Sequence, residues 1–365
     1  MKQGWEIKKL GDLCEISTGK SNTEDALPNG EYSFFDRSKI IKKSSKYLFD
    51  CEAIIIAGEG QTFLPKFFSG KFDLHQRAYA IFNFTKSVDI NYVYKYLIHF
   101  HKYFEEVAVG ATARSLRLRH FQELPIPLPP LSEQKEIVAI LDKAFRDIAK
   151  GKINAEQNLK NTKELFDSYL QSVFNNRGNG WEEKTLGEVC EYDKTPNKSN
   201  GLPYVGLEDI QSNTGQLIGP RTPRSVKSLT FHFNNEHVLY GRLRPYLNKV
   251  LLPDFEGHCS TEIFPIKPNK NLLDRGFLFH WLISNTIMEK INATWTGATL
   301  PRANMNMVLD FKINIPSLKE QSMIVKNFDE LSNETKRLES IYQQKISDLE
   351  ELKKSILQKA FAGKL

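Results

Sequence analysis

The sequence predicts an α+β chain in which two similar globular α/β modules are separated by two long helices that pair antiparallel as a coiled coil. Three observations carry this. The stretch Leu131-Ser132-Glu133-Gln134-Lys135-Glu136-Ile137-Val138 returns as Leu318-Lys319-Glu320-Gln321-Ser322-Met323-Ile324-Val325, and the offset of 187 between Gln134 and Gln321 holds to Phe174 and Phe361. Such self-similarity marks a duplicated unit. Each copy then carries an apolar seam at heptad spacing, and each is preceded by a module whose opening residues also repeat.

In the first seam Ile137, Leu141, Ala144, Ile148, Lys152, Ala155, Leu159, Thr162, Phe166, Tyr169 and Val173 step by four and three, with a stutter near Lys152. The second runs Ile324, Phe328, Leu331, Thr335, Leu338, Tyr342, Ile346, Leu349, Leu352 and Ile356. A narrow apolar stripe on a long rod needs a partner, and the other helix of the chain is the nearest one. The competing possibility is two ordinary helices, each lying on its own module. Gly151 falls inside the first run and weakens an unbroken helix there, since glycine costs about 1 kcal/mol in a helix interior. The boundaries that follow are 1–130 for the first module, 131–176 for its helix, 177–316 for the second module and 317–365 for the second helix.

The modules begin alike, with Gly4-Trp5-Glu6, Leu10-Gly11 and Cys14-Glu15 answered by Gly180-Trp181-Glu182, Leu186-Gly187 and Cys190-Glu191. Their interiors differ in length. Ala53–Gly58 and Ala78–Phe84 read as strands and Asp89–Tyr103 as a helix, while the second module offers strands at His237–Gly241 and Glu262–Ile266 and a helix from Leu273 to Ile291. Strands followed by a helix indicate α+β units rather than a parallel nucleotide-binding sheet. Both modules close with Gly-Ala-Thr (Gly110-Ala111-Thr112 and Gly297-Ala298-Thr299), then basic residues, then the lead-ins Leu124-Pro125-Ile126-Pro127-Leu128-Pro129-Pro130 and Ile313-Asn314-Ile315-Pro316-Ser317. Proline stiffens these as extended leads into the helices, and Ser317 with Glu320 forms a capping box.

The chain's 365 residues, 40% hydrophobic with 24 Phe and 13 Tyr, suit two folded domains. A net charge of +6 permits a polyanionic partner. No apolar run reaches the length of a membrane span and Met1-Lys2-Gln3-Gly4-Trp5 is not a signal peptide, so a cytoplasmic protein is expected. Cys14, Cys51, Cys190 and Cys259 never form Cys-x-x-Cys, and His99-x-His101 stands alone, so no metal is expected. Cys14 and Cys190 occupy matching places, which suits small buried side chains.

Catalytic signatures fail one by one. Gly19-Lys20-Ser21 would need a glycine where Cys14 stands to make a phosphate loop, and Gly58-Glu59-Gly60 lacks a third glycine. No amino-methyltransferase motif is present, and Pro253-Asp254 with Glu262 lacks the lysine of a metal-dependent nuclease. Basic residues with aromatic neighbours fit duplex DNA better. The candidates are Lys20, Arg37, Lys42, Lys43, Arg77, Arg114, Arg117 and Arg119 in the first module, and Arg221, Arg224, Arg242, Arg244 and Arg302 in the second. Arginines also pair with carboxylates inside a domain, and the sequence leaves both readings open.

Taken together, the duplicated Leu-Ser-Glu-Gln and Leu-Lys-Glu-Gln helix openings, the proline lead-ins, the paired module starts and the terminal Ala360-Phe361-Ala362-Gly363-Lys364-Leu365 resemble the specificity subunit of type I restriction-modification systems over the whole chain. The resemblance implies two target recognition domains in pseudo-two-fold arrangement, each reading half of a split DNA sequence. It also implies conserved spacer helices that hold the domains apart and dock two methyltransferase subunits, with Glu133, Gln134, Glu320 and Gln321 as partner-binding residues. Restriction and translocase subunits would join the assembly. S-adenosylmethionine, ATP and magnesium would serve those partners, with no cofactor on this chain. The lead-in before Leu318 departs from the pattern by lacking Pro-Pro. A stand-alone DNA-binding or scaffold protein is the competing class, separable by co-purification of a methyltransferase, and an independent nuclease is a third.

Overall fold

The Gly-Trp-Glu segments that open the two repeats become strands, and each finds the lead-in of its own repeat. In the computed structural model β1 (Glu6–Lys9) pairs antiparallel with the proline-rich strand at Pro125–Leu128, Glu6 opposite Leu128, and a strand at Glu182–Thr185 pairs with Lys312–Ile315, Glu182 opposite Ile315. The same register recurs because the repeated positions are those that pair. Prolines are tolerated since each ribbon has only two strands and an outer edge. Residues 4–110, 114–176, 178–198, 201–297 and 299–365 are described. Ala111, Thr112, Ala113 and Ala298 of the Gly-Ala-Thr segments lie outside them. Two compact units result, residues 1–155 with 344–365, and residues 156–343. They cut across both long helices rather than ending where the helices begin.

In the first unit β2 (Glu15–Thr18), β3 (Tyr32–Phe35), β4 (Lys42–Ser44), β5 (Phe49–Ala57), β7 (Lys66–Leu74) and β8 (Ala78–Phe82) form one sheet in the order β2-β8-β5-β7-β3-β4, antiparallel except for β3 beside β7. Strand β5 shows why this is a core sheet. Ile54 and Ile56 point into a cluster with Tyr92, Tyr96, Phe104 and Phe121, while Ala53 and Ile55 face Phe35, Phe72 and Leu74 on the other side. The period of two loads both faces. Strands β6 (Glu59–Gly60) and β9 (Arg114–Ser115) pair beyond the end of β5, and β10 is the proline strand Pro125–Leu128.

The expected helix 89–103 is two helices, α1 (Ile90–His99) and α2 (His101–Val107), with α3 (Leu118–Gln122) following later. Asp89 caps α1 by accepting from the backbone N–H groups of Asn91 and Tyr92. The break falls at Phe100, whose backbone leaves the helical region at ψ 9° while its ring stacks 4.5 Å from Tyr96.

Helix α4 spans Leu131–Asn175 without interruption, so Gly151 does not break it. Leu349 of the second long helix lies 3.4 Å from where a Gly151 Cβ would stand, an ordinary contact. Gly151→Ala is therefore expected to stabilise the first unit by about 0.5–1 kcal/mol through helix propensity. A lowered midpoint in chemical unfolding would show the contact to be too tight. Every residue of the first predicted seam is buried or half-buried. Within the first unit the start of α4 lies against the end of the second long helix, with Lys152 Nζ 2.6 Å from Glu350 and Lys353 over the Phe145 ring, so the two segments run antiparallel. Leu357, Ala360 and Phe361 enter the same core as Ile137 and Leu141. Leu352 departs from the seam and is exposed, while Leu357 and Ala360, outside it, are buried.

The second unit starts with β11 (Glu182–Thr185), α5 (Leu186–Val189) and β12 (Cys190–Tyr192). Strands β13 (Tyr204–Val205), β14 (Thr230–Phe233), β15 (Val238–Gly241), β16 (Val250–Leu251), β17 (Gly257–Ser260) and β18 (Ile263–Pro268) form two sheets, β12-β18-β15-β16 and β13-β17-β14. The expected helix 273–291 divides into α6 (Arg275–Ile283) and α7 (Asn285–Asn292). At the division the Ser284 hydroxyl donates to the Trp281 carbonyl at 2.7 Å and competes with the helical bonds. After α8 (Met305–Leu309) and β19 (Lys312–Ile315) comes α9 (Leu318–Phe361). Its opening holds half the expected capping box: Glu320 N–H donates to Ser317 Oγ at 3.3 Å, but the Glu320 carboxylate accepts from the Trp181 indole at 3.0 Å instead of turning back. Here too the helices pair, with Tyr169 and Phe174 of α4 against Phe328 of α9.

Cys190 is buried and Cys14 partly so. Burial pushes both thiols up to about 12.

Candidate nucleic-acid interface

Antiparallel pairing brings distant loops of the first unit to one end of its sheet. Thr18 stands opposite Tyr79, Ala57 opposite Ala78 and Phe35 beside Leu74, so the segments after β2, β3 and β5 meet the β7–β8 turn. That turn is His75-Gln76-Arg77. Gln76 Nε2 donates to Asn22 Oδ1 at 2.5 Å, and Arg77 Nη1 donates to Glu59 Oε1 at 2.7 Å. Beneath them Asp73, buried, accepts from the hydroxyls of Ser21 and Ser44 at 2.8–2.9 Å and fixes the first loop to the sheet. Thr23, Arg37, Glu59, His75, Gln76 and Arg77 line a cavity of about 180 Å³. Burial lowers the His75 pKa, assisted by Arg77 and Arg37, which keeps the imidazole neutral near pH 7.

Of the predicted cations in this unit, Lys20, Arg37, Arg77, Arg114 and Arg117 belong to segments that meet at this end. Arg37 is exposed and makes no side-chain hydrogen bond or ion pair among the described residues. Arg114 donates to the Glu105 carbonyl at 3.0 Å. Lys42, at the start of β4, is turned inward to the buried Asp36 of the β3–β4 loop at 2.6 Å and is a structural residue rather than a free contact. Lys43 lies exposed on the edge strand β4, away from the cluster. Arg119 is carried off on α3, whose Gln122 abuts Gly11 before β2 begins.

The second unit repeats the plan with other residues. Gly241 at the end of β15 stands opposite Ile263 at the start of β18. The next residue, Arg242, donates through Nε to Glu262 at 2.9 Å, and Arg302 meets the same carboxylate through Nε and Nη2 at 2.9–3.2 Å. Burial raises the Glu262 pKa, but hydrogen bonds from Arg302 and Arg242 outweigh it and leave the carboxyl below its usual range. Arg221 is paired with Asp254 at 2.9 Å and stacks on Phe255, and Arg224 lies over Tyr204 at 5.0 Å with Glu208 and Asp209 within 3.8–3.9 Å. Arg244 differs from all of these. It is exposed, has no side-chain partner among the described residues, and sits at φ 52°, ψ 62°, a left-handed conformation that a non-glycine residue adopts at a cost of about 1–2 kcal/mol. Its N–H is held by the Pro301 carbonyl at 2.7 Å.

Sequence reasoning missed the carboxylates Glu59 and Glu262. Their one visible signal is placement: Glu59 closely follows a strand and Glu262 immediately precedes one.

Two of the residues assigned to partner binding are internal. Gln134 and Gln321 are fully buried. Gln134 Oε1 accepts from Asp89 N–H at 2.8 Å while Nε2 donates to the carbonyls of Ser87 and Pro129 at 3.0 and 2.8 Å. Gln321 repeats this with Asp274 N–H at 2.7 Å and the carbonyls of Leu272 and Pro316 at 2.9 and 2.8 Å. Both glutamines tie a long helix to the start of a module helix, so no docking partner reaches them. Glu320 is engaged with Trp181, and Glu133 is half-buried.

A duplicated α+β frame that gathers arginines and polar loops at one sheet end defines a two-module DNA-reading protein. The chain belongs to the type I restriction-modification specificity family: the Type I restriction modification DNA specificity domain matches residues 2–157 and again 178–348. Its relatives include the type I restriction enzyme EcoDI specificity subunit of Escherichia coli, 27% identical across 99% of this chain and 88% of that one. The MjaVIII specificity subunit of Methanocaldococcus jannaschii is 22% identical across 100% and 93%. Among solved structures, the HsdS subunit of Thermoanaerobacter tengcongensis has the same fold, with a TM-score of 0.65 at 19% identity over 100% of this chain and 98% of that one. A chain from a type I R-M system solved for its complex assembly superposes with a TM-score of 0.76 at 18% identity over 100% and 99%. No helix among the described residues is long and apolar enough to cross a membrane.

Proposed function

We propose that the chain is the DNA-specificity subunit of a type I restriction-modification enzyme, each unit reading one half of a bipartite duplex target. The duplication carries this reading. One family domain occurs twice, and each copy has its own set of exposed and carboxylate-braced arginines at a sheet end. Two half-sites need two readers at a set interval, and α4 and α9, at 45 and 44 residues, are each about 65 Å long, ample for half-sites about one turn or roughly 34 Å apart. Two methyltransferase subunits dock on these helices, where Ile140 and Ile153 of α4 and Met323 of α9 leave apolar side chains exposed. Methyl transfer from S-adenosylmethionine and the ATP- and magnesium-dependent steps belong to the methyltransferase and translocase partners, in the cytoplasm, and this chain supplies no catalytic group.

Methylation sequencing in a host carrying the chain with its partner subunits tests the proposal. A bipartite motif is expected, and Arg244→Ala should weaken discrimination about tenfold in one half only, as loss of a single base contact does. A continuous motif, or loss in both halves at once, would overturn it.

A further inference from the structure

The ion pairs at the two sheet ends lie at neighbouring places in the frame with their signs exchanged. In the first unit the Gly58 N–H donates to the Arg77 carbonyl at 2.7 Å and the Leu116 N–H to the Gly58 carbonyl at 2.8 Å. In the second, Arg242 N–H donates to the Glu262 carbonyl at 2.9 Å and Ala303 N–H to the Arg242 carbonyl at 2.9 Å. The bonding pattern is the same, so Gly58 corresponds to Arg242, and the residue before the last core strand is Arg77 in one unit and Glu262 in the other. The carboxylate facing Arg77 is Glu59, on the arm leaving β5, whereas Glu262 faces Arg242 on the arm leaving β15.

A carboxylate at a surface that meets phosphates is electrostatically unfavourable, and its presence at both ends calls for a use. The geometry gives one. Glu59, 17% exposed at its side chain, engages only Nη1 of Arg77, which is 61% exposed. Glu262 engages only Nε of Arg242, whose guanidinium also lies 5.4 Å from the Phe264 ring. In both arginines the remaining N–H groups have no partner among the described residues. A guanidinium tethered at one nitrogen, and in Arg242 also set against a ring face, is restrained before binding and can present its other edge as a two-point donor, the geometry that reads guanine O6 and N7. Arg302 meets Glu262 through a two-point fork that consumes its own edge, and so belongs to the brace.

Resting on the specificity-subunit reading, we propose that Arg77 and Arg242 each read a guanine in their half-site, and that Glu59 and Glu262 are positioning residues that hold those arginines.

The test uses the complete enzyme complex and its methylation motif. The wild-type motif is read first, since the absence of any bipartite motif would sink the specificity reading itself. Given a motif, Glu262→Gln should relax one G·C position of one half-site about tenfold, leave the other half-site unchanged, and raise binding to non-cognate duplex because a repelling charge is gone. Glu59→Gln should do the same in the opposite half. The exchange Glu59→Arg with Arg77→Glu separates positioning from scaffolding, since the second unit tolerates that sign order. If the pair only ties the arms, the exchange restores the motif lost in Glu59→Arg. If Arg77 reads a base, thermal stability returns and the G·C preference does not. Half-sites without a G·C pair, or Gln variants with wild-type motifs, would overturn the inference while leaving the specificity reading intact.

Discussion

Replacing Gln321 by alanine is expected to destabilise the second unit by about 3 kcal/mol. The side chain is wholly buried and meets one N–H and two carbonyls, each of which loses its partner in the variant. A buried polar group left unpaired costs about 1–3 kcal/mol, and partial relaxation keeps the three from adding fully. Gln321→Glu should be no milder, because an ionised carboxylate has no donor for the two carbonyls. Gln134→Ala carries the same expectation for the first unit. Chemical unfolding with a probe in each unit measures both. A change below about 0.5 kcal/mol with weakened subunit association would instead return these glutamines to a docking face, a result at odds with their complete burial.

Phe361→Ala is expected to cost the first unit about 3–4 kcal/mol. The ring lies edge-on to Tyr92 and Tyr96, with centroids 5.5 and 5.2 Å away, and stacks 5.7 Å from His99. Its removal opens a cavity in the cluster that also holds Leu141 and Ile56. The informative feature is location. A substitution near one end of the chain should lower the unfolding midpoint of the unit that contains residues 1–155, because residues 344–365 fold with it. Loss confined to the second unit would contradict that division.

The seam of α4 was legible to the residue, since burial on a paired helix follows period and every predicted position from Ile137 to Val173 is at least half-buried. In α9 the period slips near Leu349, and Leu352 faces solvent. The helix breaks at Phe100 and Ser284 were not legible, because apolar spacing continues across them while only the backbone departs from helical geometry there. The duplicated glutamines were visible as a motif, yet their role was misread. A repeat reports that a residue is needed twice, and only burial and hydrogen-bond partners report why.

The arginines mark the same boundary. Composition, repeat offset and periodicity lie along the chain, so two modules, two long helices and a basic character followed from the residues alone. How much of each cation stays available depends on carboxylates that folding delivers: Asp36 takes Lys42, Glu262 takes one edge of Arg302, and Glu59 and Glu262 take a single nitrogen each of Arg77 and Arg242. Electrostatic pairing falls off over a few ångströms in space, not over positions in sequence. Sheet register therefore decided the reading surface, leaving Arg37 and Arg244 unpaired and Arg77 and Arg242 held at one nitrogen each, where the sequence had set all of them among equals.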